Sequence, residues 1–244
     1  MNPSEDYKTR IYNAYLSRGP EREPVFDRLA AERRARLLAR LLKGWLPEDR
    51  ELPIADLGCG SGEVLYFLKG RGYTRVAGVD VSPEQVQAAR QVVPEVVEAD
   101  LFDFLDRHRE KFGLIFALDL LEHLRKDDVL RFLDASHRAL GGGGRLILQT
   151  PNADSPMASG LRYGDFTHEV CFTPSSLGWL LNLVGFTGVE SREGGPRPLG
   201  ILSLGRTLLW RLIRRGIQLW NLAETGSAGS GIYTRVFLLS GIKR

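Results

Sequence analysis

The sequence has 244 residues, 43% of them hydrophobic and 26% charged, which is sufficient to build the core of one α/β domain. Its net charge of +3 is too small to indicate a nucleic-acid partner by itself, and its two cysteines, Cys59 and Cys171, predict no disulfide framework. Residues 1–10 lack the apolar core of a secretory signal, and no apolar run reaches the length of a membrane-spanning helix. We therefore expect a cytoplasmic protein, with peripheral contact at the inner membrane face left open.

The pattern of apolar residues divides the chain into four segments. An amphipathic helix is predicted over residues 26–45, where leucines recur at helical spacing among arginines. Short apolar runs then alternate with helical segments, and a basic insertion precedes a last apolar strand. The segments are an N-terminal helical segment (1–50), the core (51–193), an amphipathic helical insertion (194–231) and the final strand of the core sheet (232–244).

Strands and helices alternate regularly through the core. Strands are predicted at residues 52–57, 75–80, 96–98, 113–118, 145–150 and 188–191, followed by the last one at 232–239. Helices are predicted at residues 62–70, 83–92, 103–108, 127–140 and 175–184. The four glycines at 141–144 are expected to cap a helix and form a tight turn. This alternation predicts an α/β fold, a Rossmann-like seven-stranded and mostly parallel sheet with helices on both faces.

A glycine-rich loop joins the first predicted strand to the first core helix. Residues 54–62 read IADLGCGSG. Glycines at such a junction let the backbone turn sharply and let a ligand approach where a Cβ would block it. The spacing is Gly-x-Gly-x-Gly, whereas dinucleotide-binding proteins use Gly-x-Gly-x-x-Gly. The loop therefore argues against a nicotinamide dinucleotide.

Acidic residues follow the next two predicted strands. Asp80 ends the sequence GVD, at the position from which a carboxylate grips a ribose diol. Asp100, in the sequence EADL, follows one strand later and would lie near an adenine amino group. Together with the glycine-rich loop, the two acids predict one nucleoside-shaped crevice at the C-terminal edge of the sheet.

The segments ADLGCGSG, GVD and EADL, in this order, resemble those of class I S-adenosylmethionine-dependent methyltransferases, over residues 52–186. The resemblance implies an enzyme that binds S-adenosylmethionine, with a sheet that ends in an antiparallel seventh strand supplied by residues 232–239. It also implies cofactor-binding roles for Asp56, Gly58, Cys59, Gly60, Gly62, Asp80, Val81, Asp100, Leu101 and Leu118.

A group of acidic residues and histidines follows the fourth predicted strand, in the sequence LDLLEHL at 118–124. Asp119, Glu122 and His123 share a face if this turn is helical, and GDFTHE at 164–169 adds His168. The four residues could hold a divalent metal such as Mg²⁺, or Glu122, His123 and His168 could serve as catalytic acid–base groups. The alternative is that the Glu-His pair only packs and caps the turn.

The sequence DLLEHL resembles the E-x-x-E-H element of ubiquinone-pathway O-methyltransferases and of small-RNA 2′-O-methyltransferases. In those families the element binds a metal, and the RNA enzymes add a later histidine, for which His168 is the candidate here. Asp119 stands where those families have the first glutamate.

The insertion carries an amphipathic helix at residues 201–224. At about 100° per residue, one face collects Trp210, Ile213, Ile217 and Trp220, and the opposite face collects Arg211, Arg214, Arg215 and Gln218. We expect the apolar face to pack on its own domain or on a second subunit. A lid over the acceptor and a peripheral membrane contact are the alternatives, and the oligomeric state stays open.

The histidines and acids favour an oxygen acceptor, because a hydroxyl group benefits from a base or a metal. Residues 164–186 and the insertion resemble methyltransferases of bacterial surface-polysaccharide synthesis, which implies a glycan, a glycolipid or a similar small-molecule acceptor. The alternatives are a quinone-like or phenolic acceptor sheltered by the insertion, and a non-catalytic binding module. Nucleic acid is disfavoured, since no platform of alternating aromatic and basic residues is evident.

Overall fold

The computed structural model of the protein describes residues 7–12, 26–196 and 201–244. Within these residues, seven strands form one sheet in the order β3-β2-β1-β4-β5-β7-β6. Neighbours from β3 to β5 pair in parallel, whereas β7 runs antiparallel to both β5 and β6. The expected mostly parallel sheet with an antiparallel last strand is therefore confirmed. The strands are β1 Ile54–Leu57, β2 Val76–Asp80, β3 Val97–Glu98, β4 Phe112–Leu118, β5 Leu140–Pro151, β6 Phe186–Glu193 and β7 Val236–Lys243.

Helices connect the strands, and the predicted helices are all present with shifted ends. Helix α2 begins after Asp27. The side chain of Asp27 accepts a hydrogen bond from the Ala30 amide and so caps the helix. A 3-10 turn at Leu121–His123 follows β4. The helices are α1 Tyr7–Tyr12, α2 Arg28–Leu41, α3 Glu63–Gly70, α4 Pro83–Ala89, α5 Leu101–Asp106, α6 Lys126–Ala139, α7 Ala158–Arg162, α8 Pro174–Leu183 and α9 Ile201–Thr225.

Two apolar cores lie on opposite faces of the sheet. Successive side chains of a strand point to opposite faces, and β4 accordingly sends Ile115 into one core and Leu114 into the other. The first core is filled by α5, α6 and α8, and the second by α2, α3 and α4. Because both faces are covered, the central strands are mostly apolar, and only the strand ends remain open to a ligand.

The glycine patch at 141–144 differs from its prediction as a helix cap and turn. Helix α6 ends at Ala139, its cap position is Leu140, and β5 starts at that same residue. The pairing of β4 with β5 then jumps from Phe112 opposite Leu140 to Leu114 opposite Arg145. The four glycines therefore form a bulge inside the strand.

The last strand begins four residues later than residues 232–239 predict. The Asn152 side chain donates hydrogen bonds to the carbonyls of Ile232 (2.8 Å) and Thr234 (3.0 Å). Residues 232–235 are thus held by a side chain before regular pairing begins at Val236, opposite Pro151. Residues 232–235 favour a strand, but the carbonyls of Ile232 and Thr234 accept hydrogen bonds from a side chain instead of from a neighbouring strand.

Helix α9 lies between β6 and β7 in the sequence, although these two strands pair directly in the sheet. None of the helices in the described ranges is both long enough and apolar enough to cross a membrane.

Candidate active site

A cleft of about 710 Å³ opens where the C-terminal ends of β1, β2 and β4 meet α2 and the segment after β4. This is the edge of the sheet at which α/β proteins bind their ligands. All but one of the residues expected to bind the cofactor line the cleft, namely Asp56, Gly58, Cys59, Gly60, Asp80, Val81, Asp100, Leu101 and Leu118.

The exception is Gly62, which caps α3 and does not line the cleft. Its φ angle is +92°, and a Cβ at this position would lie 3.1 Å from the Cα of Ala89 in α4. Glycine is needed here because the start of α3 touches the backbone of a neighbouring helix. Gly62 therefore serves helix packing, and its expected contact with the cofactor stays a prediction.

The glycine-rich loop passes directly over the end of β2. The amides of Gly58 and Cys59 both donate to the carbonyl of Val79, at 2.9 and 3.0 Å. Gly58 has a φ angle of +66°, which a side chain adopts only with strain. The Cys59 thiol stays protonated, because burial and the nearby carboxylates raise its pKa.

The carboxylate of Asp80 is fixed by backbone amides on both sides. Oδ2 accepts from the Gly60 amide and Oδ1 from the Ser82 amide, both at 2.9 Å. Burial raises the pKa of Asp80, while these amides oppose the shift. The side chain is therefore held rigidly in the cleft, at the position expected for a ribose-binding acid. Asp100 also lines the cleft, and its Oδ1 caps α5 by accepting from the Phe102 amide at 2.8 Å.

Asp56, at the end of β1, is almost fully buried, with 2% of its surface exposed. Its Oδ2 has no hydrogen-bond partner among the described residues. Burial and the charge of Asp80 raise the pKa of Asp56 well above its usual range, and Arg34 opposes the shift. A buried carboxyl group with unmet hydrogen-bonding capacity is suited to a cationic ligand group, such as an ammonium.

Arg34 of α2 forms a charged part of the cleft wall that the sequence did not single out. Its Nη2 lies 3.2 Å from Oδ2 of Asp119, and its buried Nε has no partner within the described ranges. Asp119 has an unusual φ angle of +56°, and its two carboxylate oxygens also accept from the Gln149 side-chain amide, at 2.7 and 2.8 Å. The carboxylate of Asp119 therefore binds Arg34 and Gln149, and it lies outside the cluster that contains the two histidines.

Three of the four predicted metal-binding residues come together. Ligand atoms of Glu122, His123 and His168 all lie within 4.8 Å of one another, and Asp119 is outside this group. The buried Glu122 accepts a hydrogen bond from Thr150 (3.1 Å). Burial, and then the charge of Asp119, raises the pKa of Glu122 to about 8. A cation at this cluster would offset the cost of burying the carboxylate.

A hydrogen-bond chain fixes the ring of His123, which lines the cleft. The Thr167 hydroxyl donates to Oδ1 of Asp165 (2.7 Å), and its oxygen lies 2.8 Å from Nδ1 of His123. Although burial raises the pKa of Asp165, its bonds from Thr167 lower it overall, so this carboxylate accepts. The Thr167 oxygen must then accept from Nδ1–H of His123, which places the lone pair on Nε2.

The imidazole of His123 is neutral over a wide pH range. Burial, and then the neighbouring His168, lowers the pKa of His123 to about 4. The two rings meet edge to face with centroids 4.8 Å apart. Nδ1 of His168 lies 2.9 Å from the carbonyl of Leu161, which can only accept, so His168 also carries its proton on Nδ1.

Residues from the flanking segments complete this end of the cleft. Lys8 of α1 lines the cleft, donates to the carbonyl of His123 at 2.7 Å and lies 3.1 Å from Glu169. Sequence reasoning selected GDFTHE for its histidine, but missed the roles of Asp165 and Thr167. Their position beside a candidate histidine was the available signal.

Comparison with known proteins agrees with this geometry. The family described as a methyltransferase domain matches residues 26–191. A trans-aconitate 2-methyltransferase of Azoarcus sp. (strain BH72) is 37% identical over 122 residues, covering 48% of this chain and 47% of that relative. A small RNA 2′-O-methyltransferase of Mus musculus is 28% identical over 179 residues, covering 62% of this chain and 45% of the relative. The chain spans about half the length of these curated relatives.

Among solved structures, a SAM-dependent methyltransferase from Archaeoglobus fulgidus superimposes with a TM-score of 0.66 at 19% identity, covering 98% of this chain and 100% of that one. At this identity the likeness shows the fold. The family match and the fold together define the class, and the chain belongs to the class I S-adenosylmethionine-dependent methyltransferases. The curated relatives that it matches are themselves named as methyltransferases.

Proposed function

We propose that this methyltransferase transfers its methyl group to a hydroxyl oxygen of a glycan, a glycolipid or a similar polar acceptor. The observation that carries the proposal is the ring of His123. It lines the cleft that holds the cofactor-binding motifs, and the Thr167–Asp165 chain fixes its Nδ1 proton. A hydroxyl acceptor needs a group that removes its proton, and the unprotonated Nε2 of His123 is such a group.

In the proposed reaction, the donor supplies an electrophilic methyl group attached to a sulfonium. As the acceptor oxygen bonds to the methyl carbon, the electrons of the breaking carbon–sulfur bond return to sulfur, and Nε2 of His123 takes the hydroxyl proton. Asp165 stabilises the resulting imidazolium through Thr167, as the third member of a triad does. Glu122 and His168 act as positioning residues, since they pack against the same ring.

Charged side chains surround the cleft near His123, and they support a polar acceptor. Lys8, Arg125 and Asp128 line this part of the cleft and can hydrogen-bond to several hydroxyl groups at once. One of the relatives is by name a 2′-O-methyltransferase, which also supports oxygen as the acceptor atom. No described residue of α9 lines the cleft, so support for a quinone-like acceptor sheltered by the insertion is weaker.

A divalent metal is a second candidate feature, favoured by the approach of Glu122, His123 and His168 to within 4.8 Å. These side chains fit a metal. In each histidine the Nδ1 proton is donated to a backbone carbonyl or a hydroxyl, which leaves Nε2 for the ion, as is usual for metal-binding histidines. Such an ion would act as a Lewis acid that lowers the pKa of a bound hydroxyl group.

The test is methyl transfer from labelled S-adenosylmethionine to separate pools of glycans, glycolipids, phenols and RNA, with and without a chelator. We expect label in an ether linkage on a glycan or glycolipid, located by mass spectrometry. His123→Gln should slow turnover by about 10²-fold or more, while donor binding stays unchanged in calorimetry. Loss of activity in chelator, restored by Mg²⁺, would instead assign Nε2 of His123 to the metal, and the metal would then lower the pKa of the acceptor hydroxyl.

The matched control is His137→Gln, which changes a histidine of α6 that packs against Phe186 outside the cleft. It should leave turnover unchanged. Label on nitrogen, on carbon or in the phenol pool would contradict the proposal, and so would a fully active His123→Gln enzyme.

A further inference from the structure

Helix α9 rests on the protein through its polar side. Nη1 of Arg214 lies 3.0 Å from Oε1 of Glu193, and the Asn221 side chain donates to the Tyr233 hydroxyl at 3.1 Å. Thr207 is buried on the same side. At about 100° per residue, these three positions fall within roughly 40° of one another around the helix. The side of α9 that contacts the domain is therefore largely polar.

The opposite side of α9, its outer face, is apolar and exposed. Trp220 has 72% of its surface exposed and Leu212 has 66%. The face formed by Trp210, Ile213, Ile217 and Trp220 was expected to pack on the domain or on a second subunit, and it does not pack on the domain as a unit, because only Trp210 and Ile217 are partly buried. Arg215 lies near one edge of this face, and the other exposed large side chains are apolar, as in the binding sites of soluble proteins. The outer face consists mainly of Leu208, Leu209, Leu212, Leu219, Trp220 and Leu222.

The width of the outer face distinguishes between two possible partners, a second copy of the chain and a membrane surface. Its exposed apolar side chains extend from Leu222 through Leu212 to Ile213, an arc of roughly 180° at 100° per residue. A pair of helices from two copies of the chain buries a narrower stripe than this. An arc of half the circumference is fully covered by a broad planar surface, such as the interface of a lipid bilayer.

The charges on α9 favour a negatively charged surface. The helix carries four arginines and one glutamate, Glu224, which accepts a hydrogen bond from the Trp220 indole at 3.0 Å. Arg206, Arg211 and Arg215 are exposed, and within the described ranges none of them forms an ion pair. Long arginine side chains can extend from a buried helix to lipid headgroups, and tryptophan is favoured at the same depth.

We propose that α9 binds the surface of an anionic membrane, with its outer face inserted at the level of the headgroups. The helix is 25 residues long, about 38 Å, and would lie in the plane of the interface. This inference concerns where the enzyme works, and it holds for any acceptor. It does not depend on His123 or on a metal.

The test is cosedimentation of the full chain with vesicles of phosphatidylcholine alone and of phosphatidylcholine mixed with phosphatidylglycerol. We expect binding to the anionic vesicles, weakened by salt, and little binding to the neutral ones. The fluorescence of Trp220 should shift to shorter wavelength on binding, and the shift should be lost in Trp220→Ala but kept in Trp179→Ala. Leu212→Asp should weaken binding about tenfold or more.

The matched control is Leu29→Asp, because Leu29 of α2 is a helical leucine of nearly equal exposure, 67% against 66% for Leu212. It should bind vesicles as the unmodified chain does. Three results would overturn the proposal: no binding to anionic vesicles, equal loss of binding in both aspartate variants, or a dimer in light scattering that Leu212→Asp dissociates.

Discussion

A histidine that its surroundings keep neutral can act as a base at a pH where a free histidine is protonated. His123 is in this position, because burial and His168 lower its pKa to about 4. With donor saturating, kcat/KM for the acceptor should therefore stay high as the pH is lowered through 6.5 and fall only towards about 4, where Nε2 becomes protonated. A pH–rate profile between pH 3.5 and 8 measures this.

Thr167→Val supplies a comparison for this profile. The variant breaks the link between His123 and Asp165 and leaves the glycine-rich loop unchanged. Turnover should fall by about tenfold or more while affinity for S-adenosylhomocysteine is kept. An acid limb centred near 6.5 would show that the His123 ring is not the base, and full turnover in Thr167→Val would show that the link to Asp165 does not assist it.

Much of the site could be predicted residue by residue, because ligand motifs in α/β proteins occupy fixed places at strand ends. Strand-end position predicted Asp80 and Asp100, and the family resemblance predicted Asp56; all three line the cleft. Arg34 was not predicted, because an arginine within an amphipathic helix is normally solvated, and only the docking of α2 reveals that its Nε is buried.

At the scale of the element, α3 offers two glycines with opposite expected effects. Gly62→Ala places a Cβ 3.1 Å from the Ala89 backbone at a φ angle of +92°, and should reduce the free energy of unfolding by about 2 kcal/mol or more. Gly70→Ala, in the last turn of the same helix with no atom within 4 Å, should raise it by about 0.5–1 kcal/mol.

Urea unfolding of both variants tests the pair. Equal destabilisation would show that the start of α3 does not depend on its contact with α4. Loss of donor affinity in Gly62→Ala without loss of stability would instead show that Gly62 contributes to donor binding.

The order of the elements follows from the sequence, but their ends and orientations do not. Strand formers at residues 232–235 predicted a ladder there, and the Asn152 side chain, distant in sequence, takes up that backbone instead. The periodicity of α9 revealed two faces and could not show which one meets the domain. The ion pair of Arg214 with Glu193 decides this, and its partner lies in another element.

At the scale of the molecule, the domain and the insertion should be separable. Strands β6 and β7 pair directly, with Glu193 opposite Phe237, and Gly195 lies against Thr234. Replacing residues 196–230 by a short Gly-Ser linker therefore closes a hairpin. The shortened chain should fold, bind S-adenosylhomocysteine within about threefold of the full chain, and lose vesicle binding.

Calorimetry and vesicle cosedimentation of the shortened chain measure both properties. If the shortened chain is unfolded by circular dichroism, α9 belongs to the core. If it folds and still binds anionic vesicles, another surface of the molecule meets the membrane.

The buried carboxyl group of Asp56 has a consequence for the number of protons exchanged when the donor binds. Burial raises its pKa, so the empty cleft favours the protonated acid, whereas an ammonium group beside it favours the carboxylate. Binding of S-adenosylhomocysteine should therefore release a proton, and affinity should rise as the pH is raised towards the pKa of Asp56. Calorimetry in buffers of different ionisation enthalpy counts this proton.

Methylthioadenosine, which lacks the ammonium group, should bind without the release, and so should S-adenosylhomocysteine to Asp56→Asn. An unchanged proton count in that variant would assign the release to another group. With the release confirmed, the proton would be taken up again when the product leaves. Each turnover would then include the release and uptake of one proton at Asp56 as well as the transfer of a methyl group.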